Sequence, residues 1–127
     1  MTFPMRALCA GLFTAVAMIN PAAAADDCKN PITQYDLNRC SGKDAEREDA
    51  LLNKNYKELM GKVDAKEKAQ IKNVQLAWIK FRDLQCTYEA DRYQGGSMQP
   101  MVYSSCLYQM TKQRNKDLND MINDPSH

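Results

Sequence analysis

Four cysteines, Cys28, Cys40, Cys86 and Cys106, follow an apolar leader, and together they restrict the fold more than any other feature of the chain. Met1 to Arg6 carries one positive charge, and Ala7 to Ile19 is almost unbroken apolar sequence, too short to span a bilayer. Asn20-Pro21 ends that run, and Ala22-Ala23-Ala24-Ala25 supplies the small side chains a signal peptidase requires. Residues 1–25 therefore read as an export signal, cleaved after Ala24 or Ala25, and 26–127 as one mature domain. Cys9 leaves with the signal, and no lipobox precedes a cysteine at its end, so no membrane anchor is expected after cleavage. The expected location is the periplasm or the exterior. There, an even set of cysteines in a domain too small for a generous core implies two disulfides. Of three possible pairings, short loops favour Cys28 with Cys40 and Cys86 with Cys106, although the sequence alone does not decide among them.

Metal binding is the weaker use of these cysteines. They are separated by eleven, forty-five and nineteen residues with no CxxC pair, and the single histidine is His127 at the chain end. Neither metal nor cofactor is expected. Loss of Arg6 with the signal reduces seventeen basic side chains to sixteen, against sixteen acidic ones. A neutral domain with no dense Lys/Arg tract lacks the field that nucleic-acid binding needs, and no later segment is apolar enough to cross a membrane. Catalysis has no obvious agents either, so no catalytic residue is assigned: there is no internal histidine, the thiols are expected to be paired, and Glu46, Glu48 and Asp49 read as a solvated helix face.

The hydrophobic pattern is helical throughout. Leu52, Tyr56, Leu59 and Val63 recur at helical spacing in a first helix from Thr33 to about Lys62, with Thr33 as N-cap, Asp36 complementing the first turn, possible fraying at Ser41-Gly42, and a stop at Gly61. Asp64 with Glu67 marks a second start, and Ile71, Val74, Trp78, Phe81 and Tyr88 form the expected inward stripe of a helix reaching about Tyr93. Gln94 to Pro100 interrupts it, and a third helix begins between Ser97 and Met101, carrying Val102, Cys106, Leu107, Met110, Leu118 and Met121. Nothing alternates with period two. The predicted fold is all-α, a small antiparallel three-helix bundle stapled by two disulfides.

Two regions invite a functional reading. In QLAWIKFRDLQC, residues 75–86, Trp78 and Phe81 are expected in the core, while Arg82, one turn beyond Trp78 and on the side of Cys86 and Glu89, reads equally as a stacked, carboxylate-paired arginine or as a snorkelling surface one. The loop from Tyr93 to Met101 is the candidate partner-binding element. A disulfide between Cys86 and Cys106 would hold both its ends, Gly95 and Gly96 let the backbone approach a partner, and Arg92, Gln94 and Ser97 offer polar tips for a partner's carboxylates. The plainer reading is an interhelical turn with the glycines serving as a helix cap.

Asp27-Cys28, Thr33-Gln34, Asn38, Cys40, Leu52-Asn53 with Tyr56, the AWIKFRD run with Cys86 and Glu89, Gly95-Gly96-Ser97, and Cys106-Leu107 with Thr111 and Arg114 form a recognisable set. Together they resemble the LprI-like lysozyme-inhibitor family from Asp27 to about Leu118, with Leu76 standing where members often carry a basic residue. The resemblance implies an exported helical disulfide domain, with Trp78, Arg82, Glu89 and Arg114 in structural roles, whose partner is lysozyme and whose action is occlusion of the active-site cleft. Fold follows from such a resemblance more directly than function does. The rival expectation is an envelope interaction or immunity module for a different partner; an enzyme acting on cell-wall material would need a free, low-pKa thiol. The sequence assigns no oligomeric state.

Overall fold

The computed structural model describes residues 28–126, and the expected export signal lies outside the described residues. The chain forms three helices, α1 (Gln34–Lys62), α2 (Ala65–Asp91) and α3 (Gln99–Ile122), with no strand among the described residues. Cys28 pairs with Cys40 and Cys86 with Cys106, the short-loop arrangement.

Local chemistry sets the boundaries. The Thr33 hydroxyl accepts the Asp36 backbone N–H at 3.1 Å, and the Asp36 carboxylate accepts the Thr33 N–H in return, closing a capping box at the start of α1. Asp64 and Glu67 repeat the device for α2 at 2.9 and 3.1 Å. Only Val63 and Asp64 separate α1 from α2, so the chain reverses sharply and the two helices run antiparallel. α1 ends at Lys62, as the pattern predicts, one residue past Gly61. Two details differ from expectation: α1 runs unbroken through Ser41-Gly42, and α2 stops at Asp91. A glycine within a helix costs roughly 0.5–1 kcal/mol, too little to break a helix that tertiary packing supports.

α3 is the central element. It packs along both α1 and α2, whereas α1 and α2 make almost no close backbone approach to each other. α1 and α3 run parallel: Gln34 reaches Met101 at one end, and Lys62 Nζ donates to the Ile122 carbonyl at 3.0 Å at the other. Leu52, Leu59, Val63, Ile71, Leu118 and Ile122 form an apolar core that reaches to the α1–α2 turn, flanked by Tyr56, Met60, Trp78 and Met121. Buried polar Asn55, Gln75, Thr111 and Asn115 interleave with it, Asn55 lying between Leu52 and Leu59 on α1. The opposite end holds both disulfides, with the Met110 sulfur 3.8 and 3.9 Å from those of Cys86 and Cys106.

α2 departs from the predicted stripe. Ile71 is buried and Trp78 packs against the core, but Val74, Phe81 and Tyr88 are 56, 57 and 67% exposed. Phe81 is therefore not a core residue. The inward face of α2 is Ile71, Gln75, Trp78, Arg82 and Cys86, joined to α3 by polar bonds, ring stacking and a disulfide. Apolar periodicity placed Ile71 and Trp78 correctly and Val74, Phe81 and Tyr88 wrongly, because the rest of the contact with α3 is built from polar side chains and a disulfide.

Candidate functional site

The loop between α2 and α3 is a chain of tight turns. Tyr93 N–H bonds the Ala90 carbonyl at 2.9 Å, Gln94 that of Asp91 at 3.1 Å, and Gly96 that of Tyr93 at 2.9 Å. Gly95 sits at φ +77°, in the left-handed region where a side chain is strained, and a Cβ on Gly96 would lie 3.2 Å from the Tyr93 carbonyl oxygen. The two glycines thus meet different demands, one conformational and one steric. All residues from Asp91 to Met98 are exposed, so Arg92, Gln94, Gly95, Gly96 and Ser97 lie together on one end of the bundle.

This end is tied down from two sides. The Cys86–Cys106 bridge joins α2 to α3 below the loop. From α1, Asn38 Nδ2 donates to the Ser97 carbonyl at 3.0 Å, while Gln34 Nε2 donates to Asn38 Oδ1 at 2.9 Å and fixes that amide's orientation. Asp36 lies on the same stretch of α1. The Thr33 hydroxyl, then the Thr33 backbone N–H, hold its carboxyl below the ordinary aspartate range.

Behind the loop, Arg82 joins all three helices. Its Nη1 reaches Asp49 on α1 at 3.0 Å and the Thr111 hydroxyl on α3 at 3.2 Å, and its Nε donates to the neighbouring Asp83 at 2.9 Å. The guanidinium lies 5.3 Å from the centroid of the Trp78 ring, and that of Arg114 lies 5.8 Å from the same centroid. Arg114 also donates to the buried Gln75 at 3.0 Å. The side chain of Arg82 is 12% exposed, so it is the stacked, carboxylate-paired arginine and not the snorkelling one. Glu89 stands apart and accepts from Gln85 at 2.9 Å; the carboxylate across the bundle is Asp49, in a different helix.

Where α1 and α2 separate, a groove of about 530 Å³ opens over α3, lined by Glu46, Asp49, Arg82 and Thr111 among others. The acidic group of α1 is divided between faces: Asp49 pairs with Arg82, Asp44 pairs with Arg47, and Glu48 accepts from the buried Asn115 at 2.9 Å. Among the described residues no group of three or more His, Cys, Asp or Glu side chains is placed to hold a metal ion, and no helix is long and apolar enough to cross a membrane. The Asn38–Ser97 tie and the Arg82–Asp49 bridge are long-range in sequence, and no local spacing pattern announces either.

A family model described as lysozyme inhibitor LprI matches residues 25–118, a span holding both disulfides, the Arg82 cluster and the whole α2–α3 loop. The chain is also 33% identical over 134 aligned positions to uncharacterized protein R02472 of Rhizobium meliloti (strain 1021), with 93% of this chain and 96% of that protein covered. No solved structure is significantly similar. The chain belongs to the LprI lysozyme-inhibitor family.

Proposed function

We propose that this protein is an exported lysozyme inhibitor, residues 26–127 forming the mature domain, and that it blocks the enzyme by seating the loop Arg92–Ser97 in the sugar-binding cleft. Membership of an inhibitor family supports the activity. Two disulfides in a small domain suit an oxidising compartment outside the cytoplasm. The observation that carries the loop assignment is its combination of an exposed position with a backbone held by turn bonds, a disulfide and Asn38. A loop ordered before binding avoids the entropy cost of being ordered by the partner, so its polar tips act at little penalty. Occlusion needs no nucleophile or general base. The near-neutral mature domain gains little from long-range attraction to a basic lysozyme, so affinity rests on short-range contacts and slow dissociation.

The test is titration of the purified, oxidised mature protein into lysozymes of the chicken, goose and invertebrate types acting on bacterial cell walls. Saturating inhibition of at least one type is expected, with at least a tenfold loss of potency, about 1.4 kcal/mol, when Arg92, Gln94 and Ser97 are all replaced by alanine. Unchanged potency in that variant removes the loop from the mechanism, and no inhibition of any type assigns the protein to a different envelope partner.

A further inference from the structure

Beside the loop, α2 and α3 leave a second, smaller hollow. Thr87, Ala90 and Asp91 from the end of α2 and Gln99, Pro100 and Tyr103 from the start of α3 enclose a pocket of about 260 Å³. Its walls are set before anything binds. Ala90 is buried, Pro100 is a rigid ring at the second residue of α3, and the Cys86–Cys106 bridge joins the two helices one turn further in. The Ala90 and Asp91 carbonyls accept the Tyr93 and Gln94 N–H groups, which ties the pocket to the first turns of the loop.

The lining is chiefly apolar and holds a single charged residue, Asp91. Among the described residues, neither the Asp91 carboxylate nor the Tyr103 hydroxyl makes a hydrogen bond or ion pair. Arg92 lies outside the pocket, because consecutive residues of a helical turn face different ways. The C-terminus of α2 and the N-terminus of α3 meet here with opposite partial charges that largely cancel, so the carboxylate sets the sign of the site.

We infer that this pocket receives one lysine or arginine side chain of the protein partner, its stem against Ala90, Pro100 and Tyr103 and its cation on Asp91. Size and charge both select that occupant. The volume is below the roughly 300–1,000 Å³ of small-molecule sites and suits a single long side chain. Long basic side chains combine an apolar stem with a charged tip, which is the pattern of this lining. A neutral side chain seated there would strip water from the carboxylate and return nothing, whereas a cation replaces the lost hydration. The assignment rests on the inhibitor reading and extends it: Asp91 immediately precedes the Arg92–Ser97 loop, so when the loop enters the cleft the pocket meets its rim.

NMR titration of the oxidised mature protein with Nα-acetylarginine amide tests the pocket without lysozyme. Saturable shifts are expected in the segments 87–91 and 99–103, and not with Nα-acetylcitrulline amide, the neutral isostere, nor in the Asp91→Asn variant. Against the lysozyme that the wild type inhibits, Asp91→Asn should lose potency about tenfold and show a flatter salt dependence. Thr87→Arg, which sets an arginine of the chain itself one turn from Asp91 at an exposed position, should lose at least as much with unchanged helical circular dichroism. No saturable shift up to the solubility of the probe, or equal binding of the neutral isostere, overturns the pocket. Probe binding with full potency in both variants overturns its role toward lysozyme. Probe binding by a wild type that inhibits no lysozyme overturns the inhibitor reading and leaves the pocket as a site for a basic side chain of another partner.

Discussion

Arg82 contributes differently from the carboxylate it binds. Its side chain is nearly buried, with Asp49, Asp83 and the buried Thr111 hydroxyl as partners, whereas the Asp49 side chain is 51% exposed. Removing the arginine strands Thr111 and takes a cation from the Trp78 ring, while removing the Asp49 charge leaves Arg82 its other partners. Arg82→Met is expected to lower stability by about 2–3 kcal/mol in urea denaturation, and Asp49→Asn by less than about 1 kcal/mol, since a half-exposed ion pair is strongly screened. Equal losses would mean that the cross-helix ion pair, and not the buried donor network, is what matters. Asp36 offers a cleaner electrostatic test. Its folded pKa lies below the ordinary value chiefly through the Thr33 hydroxyl bond, so its contribution is complete above the ordinary aspartate range and is lost as pH falls through the lowered value. An NMR titration of the carboxyl carbon should find the midpoint below that of an unperturbed aspartate. Thr33→Val should move the midpoint upward; an unmoved midpoint would reject the hydroxyl as the cause.

At the scale of helices, α1 carries two glycines that its conformation does not need. A Cβ at Gly42 or at Gly61 meets nothing within 4 Å, and neither residue has positive φ. Gly42→Ala and Gly61→Ala should each stabilise the protein by about 0.5–1 kcal/mol, read as a higher urea midpoint with unchanged slope. A destabilising Gly42→Ala would mean that the groove it lines closes in solution. These elements were also the most legible part of the sequence. Thr33 with Asp36 and Asp64 with Glu67 announce two helix starts by local hydrogen-bond chemistry, and Leu52, Leu59 and Val63 mark the face of α1 that is buried. On α2 the expected stripe holds at Ile71 and Trp78 and fails at Val74, Phe81 and Tyr88, because periodicity reports that an apolar face exists without reporting which face the bundle uses. The position of the loop was legible from Gly95, Gly96 and Pro100; its tie to Asn38 was not, because a side chain reaching a carbonyl fifty-nine residues away leaves no local pattern.

In the whole molecule the apolar core is concentrated toward the α1–α2 turn and the exposed loop lies at the opposite end. The core of Leu52, Leu59, Val63, Ile71, Leu118 and Ile122 cannot order the loop directly, so order at the far end depends on the Cys86–Cys106 bridge, the turn bonds and the Asn38 bond. The bridges do not do the same work. Cys28–Cys40 fastens the segment before α1 back onto that helix, whereas Cys86–Cys106, at a sequence separation of 20, closes a segment that contains the whole loop. Removing either should cost about 2–4 kcal/mol, which a domain of this size can survive only narrowly. Binding should separate them. If the loop acts because it is ordered beforehand, Cys86→Ala/Cys106→Ala should weaken lysozyme inhibition at least tenfold at a temperature where the variant is still folded, while Cys28→Ala/Cys40→Ala, matched for stability, should weaken it by far less. Hydrogen exchange on the first variant should find faster amides from Tyr93 to Met98 with the Leu52–Val63 and Leu118–Ile122 amides still protected. Equal loss of inhibition in the two variants would mean that potency follows global stability, and the loop would lose its claim to be the inhibitory element.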